Sequence, residues 1–158
     1  MSRAGRAQVL LVEDSPSDLA LLHFAFQESG LQVDLHVVRD GEEALRFMRR
    51  QAPFDAGPTP DLILLDLNLP RLGGFDVLEA LKADDRLRDI PVVVLSTSDA
   101  DADIRRAYLL EAESYQVKPV TYSELLTFIT YIDRFWETRE PHSNGTSGFP
   151  SSRKDSDA

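Results

Sequence analysis

The chain has 158 residues and a mass of 17.7 kDa, the size of one ordinary domain with a real core. Its formal charge of −10 and pI near 4.7 argue against tight nucleic-acid binding, which needs a basic surface. It has no cysteine, which excludes a disulfide framework, a thiolate zinc site and a cysteine nucleophile.

Short apolar runs alternate with longer amphipathic stretches. Val9–Val12 reads as a buried strand that ends in Glu13 and Asp14. Ser15-Pro16 opens a helix, with Ser15 as the cap and Pro16 in the first turn; it stops at Gly30 and turns Leu19, Leu22 and Phe26 inward. Val33–Val38 is the second strand. Asp40-Gly41 turns the chain into a second helix carrying Ala44, Leu45, Phe47 and Met48. The stretch Pro53–Pro60 holds three prolines and a glycine and reads as a loop. Leu62–Leu65 is a third strand, ending in Asp66, and Gly73–Asp84 a third helix. Val92–Leu95 is a fourth strand, followed by Ser96-Thr97-Ser98; Asp101–Leu110 is helical. Ser114–Val117 is a fifth strand before Lys118-Pro119, and Thr121–Thr138 the last helix, capped by Thr121 or Ser123.

Five strand–helix pairs with continuously apolar strands imply a doubly wound α/β fold: a five-stranded parallel sheet with five helices on its two faces. In such sheets the reactive site lies beyond the C-terminal strand ends. Those ends deliver Glu13, Asp14, Asp66, Ser96, Thr97 and Lys118 to one edge. Three converging carboxylates repel one another unless cations compensate them. Lys118 is one such cation; a hard divalent ion such as Mg²⁺, which takes oxygen ligands, is the other. Asp66 is then a candidate nucleophile toward a phosphoryl group, with Glu13 and Asp14 holding the metal. Lys118 pairs with a phosphoryl oxygen. The Ser96 hydroxyl, or less favourably that of Thr97, bonds another. Each motif alone has an ordinary structural explanation: a solvated strand end, a capping turn, a surface Lys-Pro turn.

Taken together the motifs resemble the receiver domain of two-component response regulators. They are Val-Glu-Asp-Ser at 12–15, Leu-Asp-Leu-Asn-Leu-Pro at 65–70 with Gly74, Pro-Val-Val-Val-Leu-Ser at 91–96, and Tyr115 with Lys118-Pro119. The resemblance implies a flavodoxin-like receiver fold over residues 8–138. Residues 1–7 are read as an N-terminal arm, and 139–158, rich in Ser, Gly and Pro, as a disordered tail. It implies that Asp66 accepts a phosphoryl group from a sensor histidine kinase. Mg²⁺, with Mn²⁺ as a substitute, would sit among Glu13, Asp14, Asp66 and the backbone carbonyl of Asn68. Ser96 and Tyr115 would form a switch pair, and Asn68 and Ser98 would tune the lifetime of the phosphoryl group. On this reading the protein is a phospho-acceptor switch and not an enzyme beyond its own phosphoryl transfer and dephosphorylation.

The chain is more finely similar to the small receivers paired with phytochrome-type kinases. The Pro-rich insert before the third strand, Ser-Thr-Ser after the fourth and Phe135-Trp136 in the last helix carry that similarity. One departure from the receiver pattern is Glu111-Ala112, where many receivers have Gly-Ala; a differently shaped loop is expected there.

The last helix has apolar residues on more than one face. With Leu125, Ile129, Ile132 and Trp136 covering the sheet, Phe128, Tyr131 and Phe135 would lie outside that stripe. A homodimer is therefore expected through the last helix and fifth strand, with Tyr122, Phe128, Tyr131, Phe135 and Trp136 at its interface. No nucleic-acid or membrane partner is expected. No apolar run spans a bilayer and no secretory signal pattern opens the chain, so a cytoplasmic protein is expected.

Two other functions stay open. One is a scaffold that no longer responds to phosphate. The other is a Mg²⁺-dependent phosphatase of the haloacid-dehalogenase type, which shares an Asp at a strand end. That class also wants a carboxylate two residues later, where Asn68 stands, and a cap domain for which this chain has no room.

Overall fold

The computed structural model describes residues 6–137, with side chains through residue 135. Five strands and five helices alternate: β1 (Ala7–Val12), α1 (Pro16–Ser29), β2 (Val33–Val38), α2 (Gly41–Met48), β3 (Leu62–Asp66), α3 (Gly74–Lys82), β4 (Val92–Ser96), α4 (Asp101–Leu109), β5 (Ser114–Val117) and α5 (Tyr122–Glu137). The strands form one parallel sheet in the order β2-β1-β3-β4-β5. Strand order reverses beside β1, so the crevice at its C-terminal end is the switch point.

The alternation of side chains along each strand divides the core in two. Leu10, Val12, Ile63, Leu65, Val92 and Val94 face α2, α3 and α4. Val9, Leu11, Leu62, Leu64, Val93 and Leu95 face α1 and α5. Both faces are covered, which is why the central strands are apolar throughout.

The expected helix signals hold. Ser15 caps α1 by accepting the Asp18 N–H, and Gly30 ends the helix at φ 76°, a conformation costly for a side-chain-bearing residue. Asp40 caps α2 by accepting the Glu43 N–H. At α5 the cap is Thr121, not Ser123. Its hydroxyl accepts the Glu124 N–H, and Glu124 reaches back to the Thr121 N–H.

Three boundaries or orientations differ from expectation. The first strand begins at Ala7, which is buried and pairs with Val33; the adjoining Arg6 bonds Asp34, Gln32 and the Val33 carbonyl. Residues 6 and 7 thus belong to the fold rather than to an arm. Glu111 takes φ 67°, so the turn before β5 keeps the left-handed conformation that glycine adopts freely.

The third difference is the rotation of α5. Leu125, Phe128, Ile132 and Phe135 form its buried stripe, and Ile129 is only half-buried. Phe128 and Phe135 are therefore core residues and not interface candidates. The Phe128 ring stands edge-on to Phe26 of α1, centroids 6.4 Å apart. Tyr131 is half-buried, its hydroxyl 2.6 Å from that of Ser114. The side chain of Trp136 and the proposed tail at 139–158 lie outside the described residues.

Candidate functional site

Glu13 follows β1 directly, Asp66 and Ser96 end β3 and β4, and Lys118 follows β5. Parallel register sets these ends side by side, and Lys118 reaches from the sheet's edge past β4. Its ammonium lies 3.2 Å from Asp66 Oδ2, 3.0 Å from Glu13 Oε1 and 2.8 Å from Asp18 Oδ2. Glu13, Asp66, Ser96 and Lys118 are all buried. Four buried ionisable or polar side chains gathered at the C-terminal ends of apolar strands mark the crevice as a place of chemistry.

The electrostatics are those of a crowded pocket. Burial is the largest influence on Glu13 and pushes its carboxyl up to about 7, against the Ser15 N–H and Lys118, with the Asp66 charge adding to the rise. Burial opposes the charge on Lys118. Hydrogen bonds to Asp18 and Glu13 and the Asp66 charge outweigh it and hold the ammonium's pKa above its ordinary value. Glu13 Oε2 accepts the Ser15 N–H at 3.0 Å and the Lys118 ammonium at 3.2 Å. Oε1 is buried and has no hydrogen-bond partner, although the ammonium is 3.0 Å away.

The other expected residues fall around this centre. Asp14 and Asn68 are exposed, the latter with its N–H donated to Asp66 Oδ1 at 3.1 Å. Ser96 Oγ accepts the Ser98 N–H at 3.0 Å; Thr97 is exposed. The Ser98 hydroxyl donates to Asp103 and accepts the Ala100 N–H, organising the turn into α4. Tyr115 is half-buried and donates its hydroxyl to the Ser98 carbonyl at 2.8 Å, so it is tied to the loop after Ser96 and not to the Ser96 hydroxyl.

Asp18 is the residue that sequence reasoning missed. It makes the shortest contact to Lys118, yet it lies on α1, where an acidic residue in the first turn looks like ordinary helix-dipole compensation. Only the reach of Lys118 across the strand ends reveals it.

The donor set suits a hard cation. It is all oxygen, and Glu13 Oε1 is a buried acceptor without a donor. Among the described residues, no three acidic or imidazole side chains already stand at metal-ligand spacing, and the Lys118 ammonium lies within 3.2 Å of both Glu13 and Asp66.

Gly74 protects the geometry around Asp66. A Cβ there would come within 2.6 Å of the Asp66 carbonyl oxygen and of Leu67 Cα. Both are backbone atoms that cannot swing aside. Gly74→Ala is expected to cost about 1–3 kcal/mol in urea unfolding, the usual range for overpacking. Unfolding indistinguishable from wild type would contradict that close approach.

Comparison with known proteins identifies the family. The family model described as the response regulator receiver domain matches residues 9–130. The chain is 39% identical over 128 residues to the probable methanogenesis regulatory protein FilR2 of Methanothrix harundinacea, covering 81% of this chain and 82% of that one. It is 38% identical over 128 residues to the response regulator Rcp1 of Synechocystis, covering 81% and 87%. A solved Mn²⁺-bound form of Rcp1 superposes with a TM-score of 0.76 at 35% identity, over 92% of this chain and 99% of that one. The phosphorylated cyanobacterial phytochrome response regulator RcpA superposes with a TM-score of 0.78 at 39% identity, over 84% and 95%. Sequence and fold thus agree: this chain belongs to the response regulator receiver family, whose members are generally phospho-acceptor switches driven by sensor histidine kinases.

Proposed function

We propose that Asp66 is the phosphoryl acceptor of this receiver, supplied by a histidine kinase of the phytochrome type. The observation that carries the reading is a buried carboxylate at the end of β3 with the Lys118 ammonium 3.2 Å from it. A carboxylate oxygen of Asp66 attacks phosphorus as the bond to the leaving group breaks. Mg²⁺, when bound, neutralises charge on the phosphoryl oxygens; Glu13, Asp14, Asp66 and the Asn68 carbonyl would hold it. Lys118 pairs with one phosphoryl oxygen. Ser96 turns its hydroxyl to another, and Tyr115 responds through its bond to the loop after β4. The phytochrome assignment draws on the likeness to Rcp1 and RcpA.

Intact-mass spectrometry after incubation with acetyl phosphate and Mg²⁺ tests the acceptor. One phosphoryl group is expected on the wild type and none on Asp66→Asn. An equal adduct on both proteins would rule Asp66 out.

The proposed homodimer now rests on a different set of side chains. Tyr122 stays exposed, and Leu126 of α5, Val117 of β5 and Val120 between them are exposed with it. These residues replace Phe128 and Phe135 as the apolar surface that a second copy would cover. Tyr122→Ser combined with Leu126→Ser is expected to shift sedimentation toward monomer and to remove any dependence of the thermal midpoint on protein concentration.

A further inference from the structure

The ammonium of Lys118 has three protons to place. Its hydrogen bonds go to Asp18 Oδ2 at 2.8 Å and Glu13 Oε2 at 3.2 Å; Asp66 Oδ2 is at ion-pair distance only, 3.2 Å. The shortest contact is thus to a residue of α1 and not to the carboxylate it would serve. Asp18 suits this task. It sits in the first turn of α1, where the helix N-terminus favours its charge, and its N–H is fixed on the Ser15 hydroxyl. Unlike Glu13, it is partly solvated, so water can take the lysine's place at its carboxylate. It also stands outside the set of groups that would hold the metal.

We propose that Asp18 is a positioning residue that holds Lys118 in reserve, so that a phosphoryl group on Asp66 must compete with Asp18 for the ammonium. The proposal deepens the reading of Asp66 as acceptor and rests on it. Asp18 then sets the position of the resting equilibrium: the tighter its hold, the less favourable the phosphorylated arrangement. A dianion can win this competition, because it brings more charge and more acceptor oxygens than one carboxylate.

The test is the affinity of the full chain for beryllofluoride in saturating Mg²⁺, measured for wild type and Asp18→Asn. The asparagine keeps the shape and removes the charge. Binding is expected to tighten roughly two- to fivefold, the scale of a partly solvated ion pair. Unchanged or weaker binding would overturn the proposal. The same substitution in a Lys118→Met background separates positioning from a general charge effect. There the gain should shrink to within about twofold, the limit of additivity for independent sites. A gain that persists undiminished would show that Asp18 does not act through the lysine, and would also overturn it. Asp18→Ser and Lys118→Gln carry the same expectations should the first variants not fold. A wild type that binds no beryllofluoride would instead bring down the acceptor reading, and this proposal with it.

Discussion

Lys118→Ala is expected to lower the stability of the metal-free protein by about 3 kcal/mol at neutral pH, as when one partner of a buried charge cluster is removed. For a chain of this size that is a fall in Tm of roughly 6–12 °C. The reason lies in what remains. Glu13 and Asp66 would stay buried at the end of β1 and β3 without the ammonium between them. Mg²⁺ is expected to restore much of the loss, because it supplies the missing positive charge to the same oxygens. Calorimetry in EDTA and then in Mg²⁺ checks both parts. An unchanged midpoint in EDTA would mean that the lysine does not compensate these carboxylates.

Glu13 adds a pH dependence to the metal-free wild type. Its carboxyl is pushed from 4.5 up to about 7 on folding, chiefly by burial. A raised carboxyl pKa means that the folded state holds the proton more tightly than the unfolded chain. Its contribution is therefore fully present below pH 4.5 and is lost as pH rises through about 7. Urea unfolding in EDTA should show this group's contribution declining across that window. Mg²⁺ should flatten the dependence by favouring the ionised form.

The second large effect is expected far from the crevice. Phe128→Ala should destabilise the fold by about 3–5 kcal/mol, the usual cost of emptying a buried aromatic site. The ring is buried between α5, α1 and the sheet and packs edge-on against Phe26. The loss should be independent of protein concentration, since it arises within one chain. A variant with wild-type stability but weakened self-association would return Phe128 to the surface.

That residue shows where the sequence became ambiguous. In α5, the positions of Leu125, Leu126, Phe128, Ile129, Ile132, Phe135 and Trp136 spread over about half the circumference of the helix. Two stripes about one residue apart are both apolar enough to face a sheet. Packing chose between them, through Phe26 on a helix more than a hundred positions earlier, and no local pattern carries that information. The central strands posed no such choice. With both faces covered, Leu62–Leu65 and Val92–Leu95 are apolar at every position, so their identity and burial could be read directly. The crevice was legible for a related reason. Once the strands are known, parallel topology places their C-terminal residues together, whatever the helices do. Asp18 escaped because a helix residue enters that crevice only through another side chain's length. The turn at Glu111 escaped because a glutamate gives no sign of a left-handed backbone.

The sheet is not equally anchored along its width. Every residue of β3 and β4 is buried, whereas none of β5 is, and α4 contributes only Ala107 to the core. The backbone amides of α4 and β5 should therefore exchange with deuterium through local openings of low free energy, while those of β1, β3 and β4 exchange only near global unfolding. A change at the strand ends would then be felt first as a change in protection along this loosely held margin. The rest of the molecule would serve as the rigid frame against which that margin moves.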